Sequence, residues 1–470
     1  MNRIINSTAT ILMLTMLTAC TISKGIEKPV PVLPEKFRNS SQENKTSIAG
    51  IPWKQFFADA SLHRLIEKAI VNNYDMQLAL NRIEAAQLLL KQTKWLYLPD
   101  AALQVTASSN RLSNNSLNGL SAKQFLATSH VEDYSANVAL SWEADIWGKI
   151  KNRRAAALAA YLQTAEARKA VQTNIVAGVS QGYFNLLMLD AQLAIAQKNM
   201  ALNDSTLQII RLQFTAGQVT ALAVQQAEAQ QQAAAGLVPR FEQNIAIQEN
   251  ALSVLTGELP GTIQREVTLS QINISDSLPA GIPSAMISRR PDVKEMELAV
   301  TIAGAQVGIA KANMYPALAI TAGGGVNSFR ATNWFNVPAA LFGVVAGGLV
   351  QPLFQKKQLA TAYELAKADR EQSVIRFRQS VLNAVGEVSD ALVKIEKLKT
   401  AHSIAAARAG TLQQAITNAN LLFASGMASY LEVITAQANA LQSELDLTAV
   451  TRDELDAKVE LYRSLGGGWN

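Results

Sequence analysis

Residues 212–217 have the sequence Leu-Gln-Phe-Thr-Ala-Gly, and residues 421–426 repeat it as Leu-Leu-Phe-Ala-Ser-Gly. Each stretch closes a long segment rich in Ala, Leu, Gln, Lys and Glu. Its glycine stands where a helix must stop, because glycine adopts the left-handed conformation without strain. The same offset continues into the following segment, where Leu222 matches Leu431. The chain therefore contains two copies of one helical hairpin.

The repeat extends upstream of the hairpin turns. Residues 94–99 match residues 311–316, each group ending at a proline after a segment of helical composition. We therefore divide the chain into a first repeat at residues 54–260 and a second repeat at residues 261–470. Each repeat is predicted to contain a helix, a strand pair and a long helical hairpin.

The distribution of proline predicts that the hairpin helices are very long. No proline occurs between residues 100 and 238, and none follows residue 352. Because a helix interior tolerates proline worst of all residues, uninterrupted helices are expected over about residues 148–214 and 354–423. At 1.5 Å per residue each helix would be about 100 Å long. Helices of that length must pack along one another in a rod or tube.

Between the first helix and the long helix of each repeat, the apolar residues change to a period of two, most clearly over residues 103–108 and 138–143. This period predicts one strand pair at about residues 101–144 and another at about residues 317–352. Four such strands do not form a stable sheet alone, and in a membrane only a closed barrel satisfies every strand edge. The fold class is therefore mainly α with a transmembrane β-barrel contribution, in which several copies of the chain share one barrel.

An uncharged stretch at residues 334–349 allows a transmembrane helix as the alternative. Pro338 and three glycines interrupt this stretch, and it has fewer than the 18 apolar residues that a spanning helix needs. The strand is therefore the favoured interpretation.

The N-terminus has the pattern of an export signal. A charged start is followed by a short apolar segment and by Leu-Thr-Ala-Cys ending at Cys20. This ending resembles a bacterial lipoprotein signal, which implies a signal peptide at residues 1–19 and a covalent lipid on Cys20. Thr21 follows the cysteine and favours the outer membrane over retention in the inner membrane. Residues 20–53 contain several prolines and are predicted to form an extended tether.

Composition excludes several function classes. The net charge of the 470 residues is +5, and no basic stripe with interleaved aromatic residues indicates a nucleic-acid partner. One cysteine excludes an intramolecular disulfide and every Cys-based zinc site. The three histidines, His63, His130 and His402, are isolated, and no metal, nucleophile-elbow or Walker motif is present. We therefore expect no catalytic residues, no metal site and no cofactor apart from the lipid.

Several segments together resemble the outer-membrane efflux channel family. They are the Arg-Arg-Pro-Asp-Val segment at residues 289–293, the Trp-Gly-Lys segment at residues 147–149 and the Gln-Pro-Leu-Phe segment at residues 351–354. Within the family the chain resembles the lipoprotein branch of TolC/NodT-type factors that serve RND pumps, from residue 53 to the C-terminus. One departure is Gln-Lys-Lys at residues 355–357, where the family has an Asp-Gly-Gly-like turn.

This resemblance implies a homotrimer, with four strands per chain in a 12-stranded barrel and long helical hairpins in the periplasm. It also implies a lipid-anchored protein of the outer membrane, a periplasmic membrane-fusion adaptor and an inner-membrane RND-type pump as partners. The implied function is a passive exit duct for drugs or other small toxic compounds. The alternatives are the duct of a type I secretion or metal efflux system, and a lipid-anchored coiled-coil scaffold without a pore.

The resemblance assigns three groups of residues. The hairpin tips, where the adaptor is expected to dock, contain Phe214, Thr215, Gly217, Phe423, Ser425 and Gly426. A ring of like charge at the closed tip is expected to form the periplasmic gate, with Glu432 at the first acidic position, Thr435 in place of the second acid, and Tyr430 and Leu431 contributing to closure. The structural motif comprises Arg289, Arg290, Pro291, Asp292, Trp147 and Gly148, with an ion pair expected between Arg290 and Asp292.

Overall fold

The computed structural model describes residues 33–38, 47–272, 274–275 and 278–470. The predicted signal peptide and Cys20 lie outside these residues, as does much of the predicted tether. The helices are α1 Trp53–Phe56, α2 Ala60–Asn72, α3 Tyr74–Gln92, α4 Leu117–Leu126, α5 Lys149–Thr215, α6 Ala221–Leu255, α7 Pro283–Arg289, α8 Pro291–Ala312, α9 Gln358–Ala424 and α10 Tyr430–Ser464. The strands are β1 Asp100–Arg111, β2 His130–Glu143, β3 Ala317–Ser328 and β4 Leu341–Val350.

The chain separates into two compact units, and each unit takes segments from both repeats. The strand unit contains Ala85–Leu162 and Leu298–Ile375. The helical unit contains the described part of Val30–Glu84 together with Gln163–Glu297 and Arg376–Asn470. The long helices α5 and α9 begin in the strand unit and end in the helical unit.

The strand unit is built on one four-stranded antiparallel sheet in the order β1-β2-β3-β4. The strands confirm the two predicted pairs, and β4 lies where the alternative transmembrane helix was considered. The segment between β1 and β2 contains α4, a helix that the sequence analysis did not predict. The Ser116 side chain accepts a hydrogen bond from the Gly119 amide and so caps the start of this helix.

The long helices have the same lengths in both repeats. Helices α5 and α9 each contain 67 residues, and the returning helices α6 and α10 each contain 35. The two long helices therefore each rise through about 100 Å, as predicted from the absence of proline. None of the helices in the described part of the chain combines the length and hydropathy needed to cross a membrane.

The core of the helical unit is aromatic and aliphatic. The ring of Phe56 stacks on that of Tyr462 with centroids 4.1 Å apart, and Phe57 packs edge-on against the same tyrosine. The Tyr462 hydroxyl donates to the Ile51 carbonyl oxygen at 2.6 Å. These contacts join the segment that precedes α2 to the last turn of α10, which places the start and the end of the described chain in one core.

Candidate functional site

The sheet has two chemically different faces along β1 and β2. Successive side chains of a strand point to opposite faces, and the cross-strand register groups them. The face called here the outer face carries Ala101, Leu103, Val105, Ala136, Val138 and Leu140. The opposite face, called the inner face, carries Gln104, Thr106, Ser108, Asp133, Ser135 and Asn137. One face is therefore suited to lipid and the other to water.

Hydrogen bonds between side chains connect polar residues of the inner face, both within β2 and between β2 and β3. The Asn137 amide donates to the Ser135 hydroxyl oxygen at 3.2 Å. From β3, the Asn327 amide donates to Asp133 Oδ1 at 2.8 Å. These contacts connect the polar side chains of β2 to the end of β3 on the inner face.

Aromatic residues mark both ends of the outer face. Tyr134 lies near the start of β2, with its ring 5.5 Å from that of Trp334. Trp142 lies on the same face near the end of β2 and donates from Nε1 to the Tyr97 carbonyl oxygen at 3.0 Å. At about 3.3 Å per residue, Tyr134 and Trp142 are about 26 Å apart along the strand. Aromatic residues at this separation are typical of the two interfaces of an outer-membrane β-structure.

The first junction between strand and long helix contains the predicted motif residues Trp147 and Gly148. Trp147 stacks on Tyr315 with centroids 4.8 Å apart and donates from Nε1 to the Pro316 carbonyl oxygen at 2.7 Å. Gly148 has a φ of 71°, in the left-handed region that favours glycine. The Asp145 carboxylate accepts hydrogen bonds from the amides of the first turn of α5, at 2.8 and 2.9 Å. This junction is therefore fixed by one glycine and one capping carboxylate.

The second junction, between β4 and α9, makes its left-handed turn without glycine. Lys356 and Lys357 have φ values of 50° and 61°, so two lysines occupy the left-handed region. These lysines stand in the segment where the sequence departs from the family's Asp-Gly-Gly-like turn. A residue with a Cβ atom is strained in this conformation. The departure therefore changes the backbone energetics of the junction, while α9 still begins directly after it.

The predicted hairpin tips come together in the helical unit. Gly217 and Gly426 have φ values of 73° and 74°, which confirms that each glycine ends its helix in the left-handed conformation. Buried Leu207, Ile210, Ala223 and Ala227 of the first hairpin form a cluster against which Phe423, Tyr430 and Ile434 of the second hairpin pack. Thr215 and Ser425 are exposed, and their hydroxyls donate to helix carbonyl oxygens one turn earlier.

The predicted gate residues begin the last helix, and the structure gives Glu432 a second role. The Glu432 carboxylate accepts hydrogen bonds from the Ser429 amide and hydroxyl, which forms a capping box at the start of α10. These hydrogen bonds, chiefly the one from the hydroxyl, lower the pKa of the Glu432 carboxyl below its ordinary value. The Ser-x-x-Glu pattern at residues 429–432 could have indicated this cap from sequence. Leu431 and Thr435 are both exposed.

Tyr430 links the two hairpin tips. Its hydroxyl donates to the Gln226 amide oxygen on α6. Deeper in the pair, the Gln437 amide donates to the Thr206 hydroxyl oxygen at 3.0 Å. Sequence reasoning placed Tyr430 at the gate but did not identify Gln226 as its partner. The tips of the two hairpins are thus joined by apolar packing and by two polar contacts.

The predicted pairing of Arg290 with Asp292 is present as part of a larger network in the helical unit. Arg290 is 3% exposed, and its guanidinium donates to both carboxylate oxygens of Asp292, at 3.0 and 2.6 Å. It also donates to Glu387 and to the Ser464 carbonyl oxygen, each at 3.0 Å. Burial alone would raise the pKa of Asp292, but the guanidinium outweighs this effect and holds that pKa below its ordinary value.

The other residues of this motif act through the backbone. Pro291 opens α8, where a missing N–H costs nothing. A Cβ atom on Gly466 would lie 2.9 Å from the Arg289 carbonyl carbon, so the chain after α10 packs directly on this motif. Glu387 also accepts from Arg463 at 3.0 Å. The motif therefore ties the start of α8 to α9 and to the end of α10.

The first repeat makes a corresponding connection without charge. Asn73 lies between α2 and α3, as Arg290 lies between α7 and α8. The Asn73 amide donates to the Leu255 carbonyl oxygen at the end of α6 at 2.9 Å. Its side-chain oxygen accepts from the Asp75 and Met76 amides and caps α3. In both repeats, a side chain between the two shorter helices thus binds the end of the returning helix.

Comparison with known proteins identifies the family. The model of the outer membrane efflux protein family matches residues 65–258 and 282–467. The chain is 27% identical over 456 residues to the cation efflux system protein CusC of Escherichia coli O6:H1, covering 96% of each chain. It is 27% identical over 432 residues to the toluene efflux pump outer membrane protein TtgC of Pseudomonas putida, covering 89% of this chain and 85% of TtgC. A crystal structure of CusC superposes with a TM-score of 0.84 at 27% identity, over 96% of this chain and 100% of CusC.

The chain belongs to the outer membrane efflux protein family. Its location in the outer membrane and its function as an efflux channel are therefore confirmed. The fold class of long helical hairpins with a membrane β-structure is confirmed as well. The roles that the resemblance assigned to individual tip and gate residues stay predictions.

Proposed function

We propose that three copies of the chain close a 12-stranded barrel and form the exit duct of a tripartite efflux system. The observation that carries this proposal is the four-stranded sheet with an apolar outer face and with β1 and β4 at its edges. In hydrocarbon each unpaired backbone group of an edge strand costs several kcal/mol. Pairing β4 of one copy with β1 of the next removes both edges, and repeating this contact in a closed ring removes all of them.

The assembly is tested by disulfide crosslinking between the edge strands. Val105 on β1 and Val345 on β4, both on the outer face, are replaced together by cysteine. Neighbouring pairs of positions on the two strands are replaced in the same way, and each variant is tested for crosslinks in outer-membrane fractions. Covalent dimers and trimers support the barrel, and their absence across the whole scan contradicts it. Cysteine pairs on β2, whose two neighbours belong to the same chain, are the matched control and give no covalent oligomer.

The hairpin tips are proposed as the docking site of a periplasmic membrane-fusion adaptor. Leu212, Leu421 and Met427 are 72%, 65% and 73% exposed there, an apolar surface at the ends of otherwise polar helices. Thr215→Asp and Ser425→Asp leave the glycine stops intact and should weaken crosslinking to the adaptor and raise drug sensitivity. Thr417→Asp is the matched control, because Thr417 is exposed and makes the same type of hydroxyl contact to its own helix. Unchanged crosslinking in both tip variants contradicts this docking site.

Glu432 is proposed as the charged ring of the periplasmic gate, with Tyr430 and Leu431 narrowing the closed tip. Three carboxylates around one axis attract cations into the aperture. Glu432→Gln removes the charge but retains a side chain that can complete a capping box. In planar bilayers this variant should lose cation selectivity or block by multivalent cations from the periplasmic side. Selectivity and block unchanged from the parent protein would place the gate elsewhere. Glu371→Gln, the same change at an exposed position of α9 far from the tip in sequence, is the control.

A lipid on Cys20 is proposed as the membrane anchor. Cys20→Ser should abolish metabolic labelling with palmitate and impair processing of the signal peptide, while the strands still insert through their apolar outer face. Recovery of an unmodified mature N-terminus from the parent protein would contradict lipidation.

The duct is proposed to be passive, with no catalytic role and with the energy supplied by an RND-type pump in the inner membrane. Deletion of the gene should sensitise the cell to a panel of drugs, dyes, detergents and metal salts, and the pattern identifies the cargo class. Metal export is the second candidate, because one relative is named a cation efflux protein. Sensitisation to metal salts alone would favour it.

A further inference from the structure

The two repeats pair their strands in the same way. Asp100 on β1 is opposite Ser141 on β2, and Ala317 on β3 is opposite Val350 on β4. The sequence match of the segments that precede β1 and β3 also aligns Asp100 with Ala317. The long helices begin at the same number of residues after Ser141 and Val350, which aligns these two residues as well. Each residue of β3 or β4 therefore has a structural counterpart on β1 or β2.

The contact between β2 and β3 joins the two repeats inside one chain, and Leu140 is opposite Ala322 there. In the proposed barrel, β4 meets β1 of the next copy, so the second strand of one repeat again lies against the first strand of another. Because the repeats are built alike, we expect the same register at both contacts in a closed ring. The counterparts of Leu140 and Ala322 are Leu349 and Val105. Leu349 is therefore expected opposite Val105 of the next copy, and both residues lie on the outer face, as this register requires.

The first junction is bound by a contact between the repeats. Trp147 donates to the Pro316 carbonyl oxygen at 2.7 Å, so the segment that leads into β3 holds a side chain of the first repeat. The counterpart of Trp147 is Lys356, because each is the second residue before its long helix. The counterpart of Pro316 is Pro99, which Asp100 follows directly. The same arrangement between copies places Lys356 beside the start of β1 of the next copy.

The second junction is incomplete within one chain. Leu353 and Phe354 are 78% and 97% exposed, although they lie only just beyond β4. Lys356 and Asp100 are exposed as well, and neither forms an ion pair or a side-chain hydrogen bond with any residue that the structure describes. One edge of the sheet thus has an apolar surface and a cation, and the other edge has an anion. These two edges are complementary, which fits a second copy of the chain as the partner.

We infer that Lys356 forms an ion pair with Asp100 of the next copy, across a β4–β1 contact that has the register of β2 and β3. This inference rests on the proposed function, because the two residues meet only in the closed barrel. In a ring of three copies, the ion pair occurs at each contact between chains and at none inside a chain, where Trp147 and Ala317 hold the same positions. Opposite charges at the contact between copies favour this register over slipped registers.

Disulfide crosslinking tests the register. Cysteine pairs at Leu349 with Val105 and at Val345 with Ser109 join residues that are opposite each other in this register, and both should give covalent dimers and trimers in outer-membrane fractions. Val345 with Val105 is the matched control. These two residues are offset by four positions, or about 13 Å, which exceeds the Cα separation of about 7 Å that a disulfide bridges.

The crosslinking pattern separates the register from the barrel. Crosslinking of the control pair that equals or replaces that of the two register pairs would overturn the inference and leave the barrel intact. No crosslink at any pair of positions on the two strands would instead overturn the proposed function.

Charge reversal tests the ion pair. Lys356→Glu and Asp100→Lys should each lower, by several degrees, the temperature at which the purified trimer separates into single chains, measured by size-exclusion chromatography of heated samples in detergent. The combined variant restores opposite charges and should regain most of this loss. Lys357→Glu is the matched control, because it makes the same change in the same left-handed turn. The counterpart of Lys357 is Gly148, where an added Cβ atom would contact only the first turn of α5.

The combined variant distinguishes an ion pair from a general disturbance of the turn. The ion pair is overturned if the combined variant separates at no higher temperature than the less stable single variant, or if Lys357→Glu loses as much as Lys356→Glu. Because salt screens exposed charges, the difference between the parent protein and Lys356→Glu should shrink at high salt, and a difference that salt leaves unchanged would contradict the pair. A parent protein that runs as a single chain before heating would overturn the proposed assembly.

Discussion

The two repeats build the same helices with different chemistry at corresponding ends. At the strand-to-helix junction, the first repeat has a capping carboxylate on Asp145 and a left-handed glycine, whereas the second has two left-handed lysines. At the tips it is the second repeat that has the side-chain cap. Ser429 and Glu432 form a capping box there, whereas Thr220 in the first repeat makes no side-chain capping bond. The two repeats therefore share helix length and turn geometry but differ in the interactions that stabilise each helix end.

The largest difference is expected at the fastening of the returning helices. Arg290→Met should lower the free energy of unfolding by about 2–3 kcal/mol, because it removes the charged hydrogen bonds to Asp292, Glu387 and the Ser464 carbonyl oxygen. The two carboxylates are partly exposed and Glu387 keeps its contact with Arg463, which limits the loss. Asn73→Ala, at the corresponding place in the first repeat, should cost about 1–2 kcal/mol through the lost cap and the lost hydrogen bond to Leu255. Both are measured by denaturant unfolding of the purified protein in detergent.

The exposed ion pair between Arg64 and Glu266 provides the control for Arg290. Both side chains are more than half exposed, at 57% and 66%. Arg64→Met should therefore lower the free energy of unfolding far less than Arg290→Met does. A loss for Arg290→Met no larger than that for Arg64→Met would mean that the charged network adds nothing beyond the neutral fastening of the first repeat.

The first junction depends on its capping carboxylate. Asp145→Ala removes the acceptor for the Ile150 and Lys151 amides and should cost about 1–2 kcal/mol. Gln355→Ala, in the second junction, should change stability by less than about 0.5 kcal/mol because Gln355 is exposed. Comparable losses in the two variants would contradict the proposed difference between the junctions.

The second junction should be improved by glycine. Lys356→Gly and Lys357→Gly should each raise the free energy of unfolding by about 1 kcal/mol, because the left-handed strain of a Cβ atom exceeds the entropic cost of glycine. Lys198→Gly, in an exposed position within α5, should instead cost about 1 kcal/mol. Loss of stability at Lys356 and Lys357 as well would show that the turn tolerates their side chains without strain.

Local sequence patterns predicted the helices and strands, because each of these elements depends mainly on residues that are close together in the chain. The absence of proline gave the two long helices, and the glycine at each tip gave their ends within one residue. Alternation gave all four strands. Helix α4 was missed because its apolar residues Leu117, Leu120 and Phe125 are largely exposed and define no buried face.

Contacts between segments that are distant in the chain could not be predicted from the sequence. The motif predicted that Arg290 pairs with Asp292, two residues away. Its other partners, Glu387 and Ser464, are 97 and 174 residues away and are brought together only by helix packing.

The smallest effect is expected at the hairpin tips and depends on pH. The folded pKa of Glu432 lies below the ordinary value of 4.5, because Ser429 hydrogen-bonds to the carboxylate form. Its contribution to the cap is therefore complete above about pH 4.5 and is lost as the pH falls through the lowered folded pKa. Hydrogen exchange of the first turn of α10, corrected for the intrinsic rate, should become faster relative to the rest of the helix at acid pH.

The first hairpin provides the internal control for this titration. The matching turn at the start of α6 has Thr220 and Ala223, which do not titrate, so its relative exchange should not change with pH. In Glu432→Gln the amide can complete the capping box at every pH, and the acid-dependent step at α10 should disappear. In Glu432→Ala the turn should exchange faster at all pH values. If the parent protein and Glu432→Gln respond to acid in the same way, the carboxylate does not hold the cap, and the difference between the two tips must come from their apolar packing.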